Sequence, residues 1–330
     1  MFHRLTIDSA TEFLFGISVH SQRQQSEGNQ FEWRNLATSF DTSTKVLSDR
    51  AQLFGFYWLY NPKILRDSTK EVHRFADFCV RGALQRAQNE KPDSCPTSGP
   101  KQRYTFLDEL VKVNKDPIEL RNHLIHVLTA GRDTTASLLS WTFCLLARHP
   151  SVLNKLRGQI LNDFGNYEQT DKITFRSLKS CTYLQHVLNE VLRLYPPVPI
   201  NGRRATKDTT IPQGGGVDGK SPIFVKKNEE VIYCVYAMHR MKELWGPDAD
   251  EFKPDRWVNR KHGWEFLPFN GGPRICLGQQ FALTEAGYVV TRLLQKFDHL
   301  QLVNGSVLPK HHLRLTDGPE DYGIYFHEAK

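Results

Sequence analysis

The longest stretch without a helix breaker in this 330-residue chain runs from Asp116-Pro117 to His149-Pro150. Asp followed by Pro is a good helix start, and a proline just beyond the pattern is a typical stop. About nine turns at 3.6 residues per turn make this far longer than an ordinary globular helix. Because β-like runs occur only after Asn201, we expect a mostly α domain with a small β portion.

The middle of this helix carries a polar turn, residues 130–135 (Ala-Gly-Arg-Asp-Thr-Thr). Gly131 costs about 0.8–1 kcal/mol relative to Ala inside a helix, so the space that it leaves should be needed. The Thr134 hydroxyl can bond back to the preceding helical turn and open the helix slightly. A polar turn on a solvated helix face is the alternative explanation.

A second motif, Phe-Asn-Gly-Gly-Pro-Arg-Ile-Cys-Leu-Gly at residues 269–278, immediately precedes another helical run. We call it the Cys loop. Unsatisfied backbone N–H groups and the helix dipole favour the thiolate form of Cys276 at such a helix start. Gly272 and Gly278 let the backbone approach a flat group closely. Arg274 adds a cation that suits a carboxylate on the same group.

Cys276 has three other interpretations. A single cysteine in a soluble chain is most often a buried small hydrophobic residue. Zinc is excluded, because no second Cys or His lies at ligand spacing around it. A cysteine nucleophile needs a His base, and the only nearby one is His262, upstream of the loop. A thiolate, a close backbone approach and an anion-binding arginine together favour a heme loop.

The complete pattern Phe-x-x-Gly-x-Arg-x-Cys-x-Gly resembles the cytochrome P450 superfamily of heme-thiolate monooxygenases. The 130–135 turn is similar to that family's oxygen-activation turn. The resemblance covers residues 1–330 and implies a single domain with the P450 fold. Within the family the chain looks most similar to the microsomal n-alkane and fatty-acid hydroxylases of fungi. Four stretches carry that match: residues 6–16, 130–135, 214–219 and 235–240.

The resemblance implies heme b as cofactor. Cys276 would be the axial ligand of its iron, Arg274 and Arg203 would pair with its propionates, and Phe269 would shield the sulfur. The implied cofactor-binding set is Cys276, Arg274, Arg203, Phe269, Gly272, Gly278, Ala130 and Gly131.

The resemblance also implies a reaction. Asp133 and Thr134 would deliver protons during oxygen activation, through a short hydrogen-bonded relay. An NADPH-dependent flavoprotein reductase would supply electrons, and a long apolar substrate would be hydroxylated at or near its end. An inactive, truncated heme-binding remnant and a helical scaffold without heme are the alternatives.

Glu190 and Arg193 form a Glu-x-x-Arg pair that lies on one face of a predicted helix. Alone the pair is a weak signal, because any solvated helix can carry one. Here it is followed by Leu-Tyr-Pro-Pro-Val-Pro, as in the P450 superfamily, and Arg256 offers a third partner. We expect a buried structural network of these three residues beneath the Cys loop.

The remaining pattern predicts further elements. Runs at 222–225 and 231–236 flank a turn and predict a hairpin, and Gly214-Gly215-Gly216 predicts a plain turn rather than a phosphate site. Residues 89–100 read as an exposed loop. Predicted helices are 4–15 (ending at Gly16), 31–53, 68–88, 151–164, 182–195 and 279–297, and late strands are 300–303, 313–315 and 322–326.

An aromatic segment, residues 54–60 (Phe-Gly-Phe-Tyr-Trp-Leu-Tyr), precedes Asn61-Pro62. Core packing is the favoured interpretation, and an apolar lip for a substrate or a membrane surface is the alternative. The net charge of +7 suits an acidic protein partner or an anionic membrane surface, and no basic block indicates nucleic-acid binding. Six cysteines without paired spacing fit a reducing compartment.

From the resemblance we expect the N-terminal third of the family to have no counterpart in these 330 residues. The resemblance begins at residue 1 inside a helix, after the family's membrane anchor, proline-rich hinge and first helices. The family resides at the endoplasmic reticulum membrane, and we expect this truncated chain on its cytosolic face or in soluble form. An exposed apolar groove beside residues 130–135 and poor heme retention are further expectations.

Overall fold

The computed structural model describes residues 1–23, 33, 35–89, 105–303, 305, 309–320 and 322–329. Its helices are α1 Phe2–Phe15, α2 Leu36–Ala51, α3 Lys63–Asn89, α4 Phe106–Val113, α5 Pro117–Arg148, α6 Pro150–Phe164, α7 Phe175–Ser180, α8 Thr182–Leu194, α9 Val235–Met238, α10 Lys242–Trp245 and α11 Gln279–Lys296. Short 3-10 helices are Phe54–Leu59, Pro254–Trp257 and Gly272–Arg274. Strands are β1 Ile200–Arg204, β2 Thr209–Gly215, β3 Ser221–Val225, β4 Glu230–Cys234, β5 Phe297–Leu302, β6 His311–Leu313, β7 Asp317–Pro319 and β8 Ile324–Glu328. The mostly helical fold with a small β portion is confirmed.

Helix α5 is the long central helix that the sequence predicted. The Asp116 side chain caps it by accepting from the backbone N–H groups of Ile118 (2.8 Å) and Glu119 (3.0 Å), with Pro117 in the first turn. The helix ends at Arg148, His149 is its C-cap, and Pro150 begins α6. No helix breaker intervenes, so all 32 residues form one helix.

Two hydrophobic cores lie along α5. Leu120, Leu124 and Leu128 in its first half pack in a core with α1–α4. Its second half, from Ala136 to Leu146, is in a core with α6, α8 and α11. The 130–135 turn lies between these two parts of the helix. Helix α1 contacts both cores and ends at Gly16, whose φ of 76° is the left-handed conformation of a C-cap.

The strands form four antiparallel pairs: β1 with β4, β2 with β3, β5 with β8, and β6 with β7. The predicted hairpin of 222–225 with 231–236 is therefore wrong. The turn between β3 and β4 bonds to Ala205, whose N–H donates to Glu229 O and whose carbonyl accepts from Asn228 N. This contact directs β4 onto β1, while β3 folds back on β2 across residues 216–220. The predicted turn at 214–216 is therefore displaced, because Gly214 and Gly215 end strand β2 and only Gly216 lies in the turn.

Some predicted boundaries shift. Helix α2 begins at Leu36 rather than residue 31, and α3 begins at Lys63 rather than residue 68. Of the predicted loop at 89–100, residue 89 ends α3 and residues 90–100 lie outside the described residues. In the described part of the chain, no helix combines the length and the apolar character that crossing a lipid bilayer requires.

The aromatic segment does not pack in a core, and that expectation is wrong. Its residues form the 3-10 helix Phe54–Leu59 between α2 and α3, and none of them is buried. Phe54 is 85% exposed, Phe56 66% and Trp58 62%. Arg50 on α2 lies over the Tyr57 ring, 5.3 Å from its centroid, but the described elements leave most of the segment's aromatic surface exposed.

Candidate cofactor-binding site around Cys276

The Cys loop is closed by its own backbone. The Cys276 N–H donates to the Phe269 carbonyl at 2.9 Å, across the 3-10 turn Gly272–Arg274. Gly272 has φ of 67°, which an L side chain adopts only with strain. Gly278 is the N-cap of α11, and a Cβ built there would lie 3.9 Å from the Cys276 sulfur. The loop therefore presents the sulfur directly before the first turn of a helix.

The described cysteines fall into two classes. Cys79, Cys144 and Cys181 are buried, and burial raises their pKa to about 12, 11 and 12, so they remain thiols at neutral pH. Cys234 and Cys276 are exposed. The Cys234 sulfur caps α9 by accepting from Ala237 N at 3.4 Å. The interpretation of Cys276 as a buried hydrophobic residue is therefore wrong.

Arg274 and Arg203 are both exposed. Arg203 donates to the neighbouring Gly202 carbonyl at 2.8 Å, and its guanidinium lies 5.8 Å from the Tyr233 ring centroid. Among the described residues, Arg274 has no carboxylate within ion-pair distance. Both guanidinium groups can therefore donate hydrogen bonds to an external carboxylate.

The β1–β4 pair is hydrogen-bonded to the Cys loop. The Tyr233 hydroxyl on β4 bonds to Asn270 Oδ1, and Asn270 Nδ2 donates to Asn201 Oδ1 on β1 at 2.9 Å. Asn201 stands two residues before Arg203. The structure thus brings the strand that carries Arg203 against the loop that carries Cys276 and Arg274.

The 130–135 turn is only partly solvated. The Thr134 hydroxyl donates to the Ala130 carbonyl at 2.7 Å, back along the helix. Ala130 is exposed, Thr134 is half-buried, and Asp133 is buried, so the alternative of a fully solvated turn is wrong. A Cβ at Gly131 would meet no atom within 4 Å. No described protein neighbour therefore explains the glycine.

Asp133 is held in an ion network. Its Oδ1 accepts from Arg132 Nη1 at 2.6 Å and lies 3.5 Å from His3 Nδ1. Burial acts to raise the pKa of Asp133, but the His3 hydrogen bond and the Arg132 charge outweigh it and lower the pKa overall. Arg132 is only 2% exposed and also bonds to the His3 carbonyl and to Asp41. Asp133 is therefore an ionised carboxylate that joins α5 to α1, while Arg132 joins α5 to α2 through Asp41.

Among the described residues, no hydrogen bond or ion pair joins the 130–135 turn to the Cys loop. Their connection is indirect: α11, which begins three residues after Cys276, packs against α5. Two clefts among the described residues, of about 620 and 580 Å³, are lined by other residues.

Glu190, Arg193 and Arg256 are brought together. Glu190 and Arg193 are fully buried, and Arg193 Nε and Nη2 donate to the two Glu190 oxygens at 2.8 and 2.9 Å. Arg256 Nε donates to Glu190 Oε1 at 3.1 Å. The backbone N–H of Lys253 and the indole N–H of Trp257 also donate to Glu190, each at 3.0 Å. The alternative of a solvated face is wrong.

His239 links this network to Leu267, two residues before the Cys loop, and the sequence pattern did not predict it. Its Nε2 accepts from the Leu267 N–H at 2.9 Å, so Nδ1 carries the proton and donates to the Arg193 carbonyl at 3.1 Å. Burial above all, and then the Arg193 charge, lower the pKa of His239 to about 4. A lone histidine gives no periodic signal, and only the distant contacts reveal it.

Known proteins resemble this chain over most of its length. The sequence profile of the family described as Cytochrome P450 matches residues 1–322. The chain is 52% identical over 321 residues to cytochrome P450 monooxygenase g430 of a Fusarium species, covering 96% of this chain and 56% of that protein. It is 49% identical over 326 residues to cytochrome P450 52A3-A of Candida maltosa, covering 96% and 61%.

A third relative is cytochrome P450 52A13 of Debaryomyces hansenii, 52% identical over 310 residues, covering 92% of this chain and 59% of that protein. The chain thus spans a little under two thirds of the length of these relatives. A family match over nearly the whole chain, together with the Cys loop, gives one conclusion: the chain belongs to the cytochrome P450 family.

Proposed function

We propose that the protein is a heme-thiolate monooxygenase and that Cys276 is the axial ligand of its heme b. The exposed sulfur at the start of α11, in a loop closed by its own backbone, is the observation that supports this most. Cys79, Cys144 and Cys181 are unsuited to the role because burial keeps them as thiols.

The residues around Cys276 fit a heme. The small Gly278 beside the sulfur leaves room for a flat group, and Arg274 and Arg203 have guanidinium groups free to pair with propionates. Heme with an axial thiolate supplies the chemistry of oxygen activation, because the thiolate pushes electron density toward the iron. The Phe269 carbonyl, through its bond to the Cys276 N–H, fixes the direction of the sulfur.

On the helix side, Ala130 and Gly131 would form the wall nearest to the heme, because no described side chain fills the space beside Gly131. The Thr134 hydroxyl, now bonded to Ala130, can rotate to donate a proton. Asp133 is ionised, so it can accept a proton and release it. The half-exposed side chain of His3 connects Asp133 to solvent.

The substrate and partners follow from the sequence resemblance rather than from a cavity. We propose a long apolar substrate, an n-alkane or a fatty acid, hydroxylated at or near its end. A flavoprotein reductase that oxidises NADPH would supply the electrons. The exposed aromatic segment supports contact with a membrane surface, since apolar side chains of this size gain from leaving water. We place the whole protein at the endoplasmic reticulum membrane.

The reduced-CO difference spectrum tests the heme ligand. The parent chain should give the Soret band of a thiolate-ligated heme, Cys276→Ser should lose it, and the matched control Cys234→Ser should keep it. Absence of bound heme in the parent would favour the helical scaffold. Reconstitution with a flavoprotein reductase, NADPH and a long-chain fatty acid tests the activity. Heme binding without any hydroxylated product would favour the inactive remnant.

A further inference from the structure

A basic cleft lies away from the Cys276 site, between α3 and the beginning of α5, with a volume of about 620 Å³. Five cations line it: Arg66, Lys70, Arg74, Arg81 and Arg121. The four on α3 are separated by four, four and seven residues, so they lie on one face of the helix. Asp77 is the carboxylate in the lining. The lining of the cleft therefore has a strong excess of positive charge.

Few of these cations are neutralised. Arg121 Nη1 lies 3.4 Å from Asp77 Oδ1, a long contact, and Arg74 pairs with Glu71 at 2.9 Å. Lys70 and Arg81 are exposed and have no carboxylate within ion-pair distance among the described residues. A group of like charges along one helix face is repulsive, and a bound anion would relieve that repulsion.

Neutral donors in the same cleft suit phosphate oxygens. Thr69 and His73 line it beside the cations. Burial, and next the Arg121 charge, lower the pKa of His73, so at neutral pH its imidazole is uncharged and still offers one N–H. Arg66 donates to the Asn61 carbonyl at 2.7 Å, which fixes one cation at the mouth of the cleft.

The cleft adjoins the aromatic segment. Asn61, in its lining, directly follows Tyr60, and Leu65 and Arg66 belong to the first turn of the helix that follows. The aromatic side chains are exposed, as is Ile64 (57%), which lies next to Leu65 of the lining. A ligand with a phosphate and an apolar part joined in one molecule would satisfy both surfaces, whereas inorganic phosphate would satisfy only one.

We propose that the basic cleft binds the phosphate headgroup of an anionic phospholipid while the aromatic segment contacts the acyl region of the same membrane. This inference rests on the membrane contact proposed above and adds a lipid preference to it. A cation near an anionic surface strengthens membrane binding by about fivefold, so Lys70 and Arg81 together should contribute roughly 25-fold at low salt.

Vesicle co-sedimentation of the 330-residue chain tests the proposal. Vesicles of phosphatidylcholine alone are compared with vesicles that also contain phosphatidic acid. Lys70→Gln/Arg81→Gln should lose most of the gain from phosphatidic acid. The matched control Lys172→Gln/Arg176→Gln removes the same number of charges from two exposed positions in and just before α7. Helix α7 packs in the other core, so this control should keep the gain from phosphatidic acid. Equal losses in both variants would overturn the proposal.

Two further arms separate the possible failures. Phe56→Ser/Trp58→Ser should weaken binding to both kinds of vesicle. If the parent binds phosphatidylcholine through these aromatic residues and gains nothing from phosphatidic acid, the membrane contact stands and the headgroup site is wrong. A third outcome is that millimolar inorganic phosphate raises the Tm of the parent but not that of the Lys70→Gln/Arg81→Gln variant, while both proteins bind vesicles equally well. The cleft would then bind free phosphate, and the lipid assignment would be wrong.

Discussion

Replacing Glu190 with Ala should destabilise the chain by about 3–5 kcal/mol, the cost of breaking a buried ion pair. The substitution removes the acceptor of five hydrogen bonds and leaves Arg193 at 0% exposure without its carboxylate. Arg193 would keep the carbonyls of residues 239, 249 and 251, and Arg256 would keep Asp248. These remaining acceptors limit the loss, which is still a large share of a domain stability of ~5–15 kcal/mol.

Urea unfolding, followed by far-UV circular dichroism, measures this loss as a change in the midpoint at constant slope. Glu243→Ala, an exposed glutamate on α10, is the matched control and should change stability by less than about 0.5 kcal/mol. If Glu190→Ala fails to fold, Glu190→Gln, which keeps an acceptor oxygen, should give a smaller, measurable loss. A Glu190→Ala midpoint equal to that of the Glu243 control would refute the buried network.

Three more predictions concern single residues. His239 has a folded pKa of about 4, below its ordinary 6.5, so the unfolded chain binds more protons between these values and stability falls as pH drops from 6.5 to 4. The loss should total about 3 kcal/mol, and urea midpoints of His239→Gln should lack this component; an identical pH slope in the variant would contradict it. Gly131→Ala should raise the stability of the heme-free chain by about 0.8–1 kcal/mol, because alanine is the better helix former and no described atom blocks its Cβ. Gly272→Ala should lower it by roughly 1–2 kcal/mol, because the φ at Gly272 is positive. Thermal melts measure both changes, and the opposite order would disprove the role of φ at Gly272. Thr134→Val should leave the reduced-CO spectrum unchanged and lower product formed per NADPH by up to about 100-fold, so an unchanged yield would exclude its hydroxyl from proton delivery.

Features encoded by local pattern could be predicted from the sequence. The extent of α5 follows from the Asp116-Pro117 start and Pro150, and the spacing of Glu190 and Arg193 puts both on one helix face. Because both signals depend only on neighbours within a few residues, the structure reproduces them.

Features decided by distant partners could not be predicted. Strand β4 pairs with β1 because residues 228 and 229 bond to Ala205, a contact that the hairpin rule for adjacent runs does not include. The aromatic segment is exposed because the described elements do not enclose it, and its apolar composition alone suggested the reverse. Of the two partners of Asp133, Arg132 is adjacent in sequence, but His3 lies more than a hundred residues away.

The position of the 130–135 turn between two cores makes it a natural crossover point for recombining relatives. Side chains up to Leu128 pack with α1–α4, and those from Ala136 onward pack with the C-terminal elements. A chimera joined inside the turn would inherit each core almost intact from one parent, while a junction at residue 120 or 142 would mix two parents within one core. Helix α1 lies mainly in the N-terminal core but contributes Phe2 to the other core and bonds through Ser9 to Glu285 on α11, so these are the contacts that such a chimera must match between its parents.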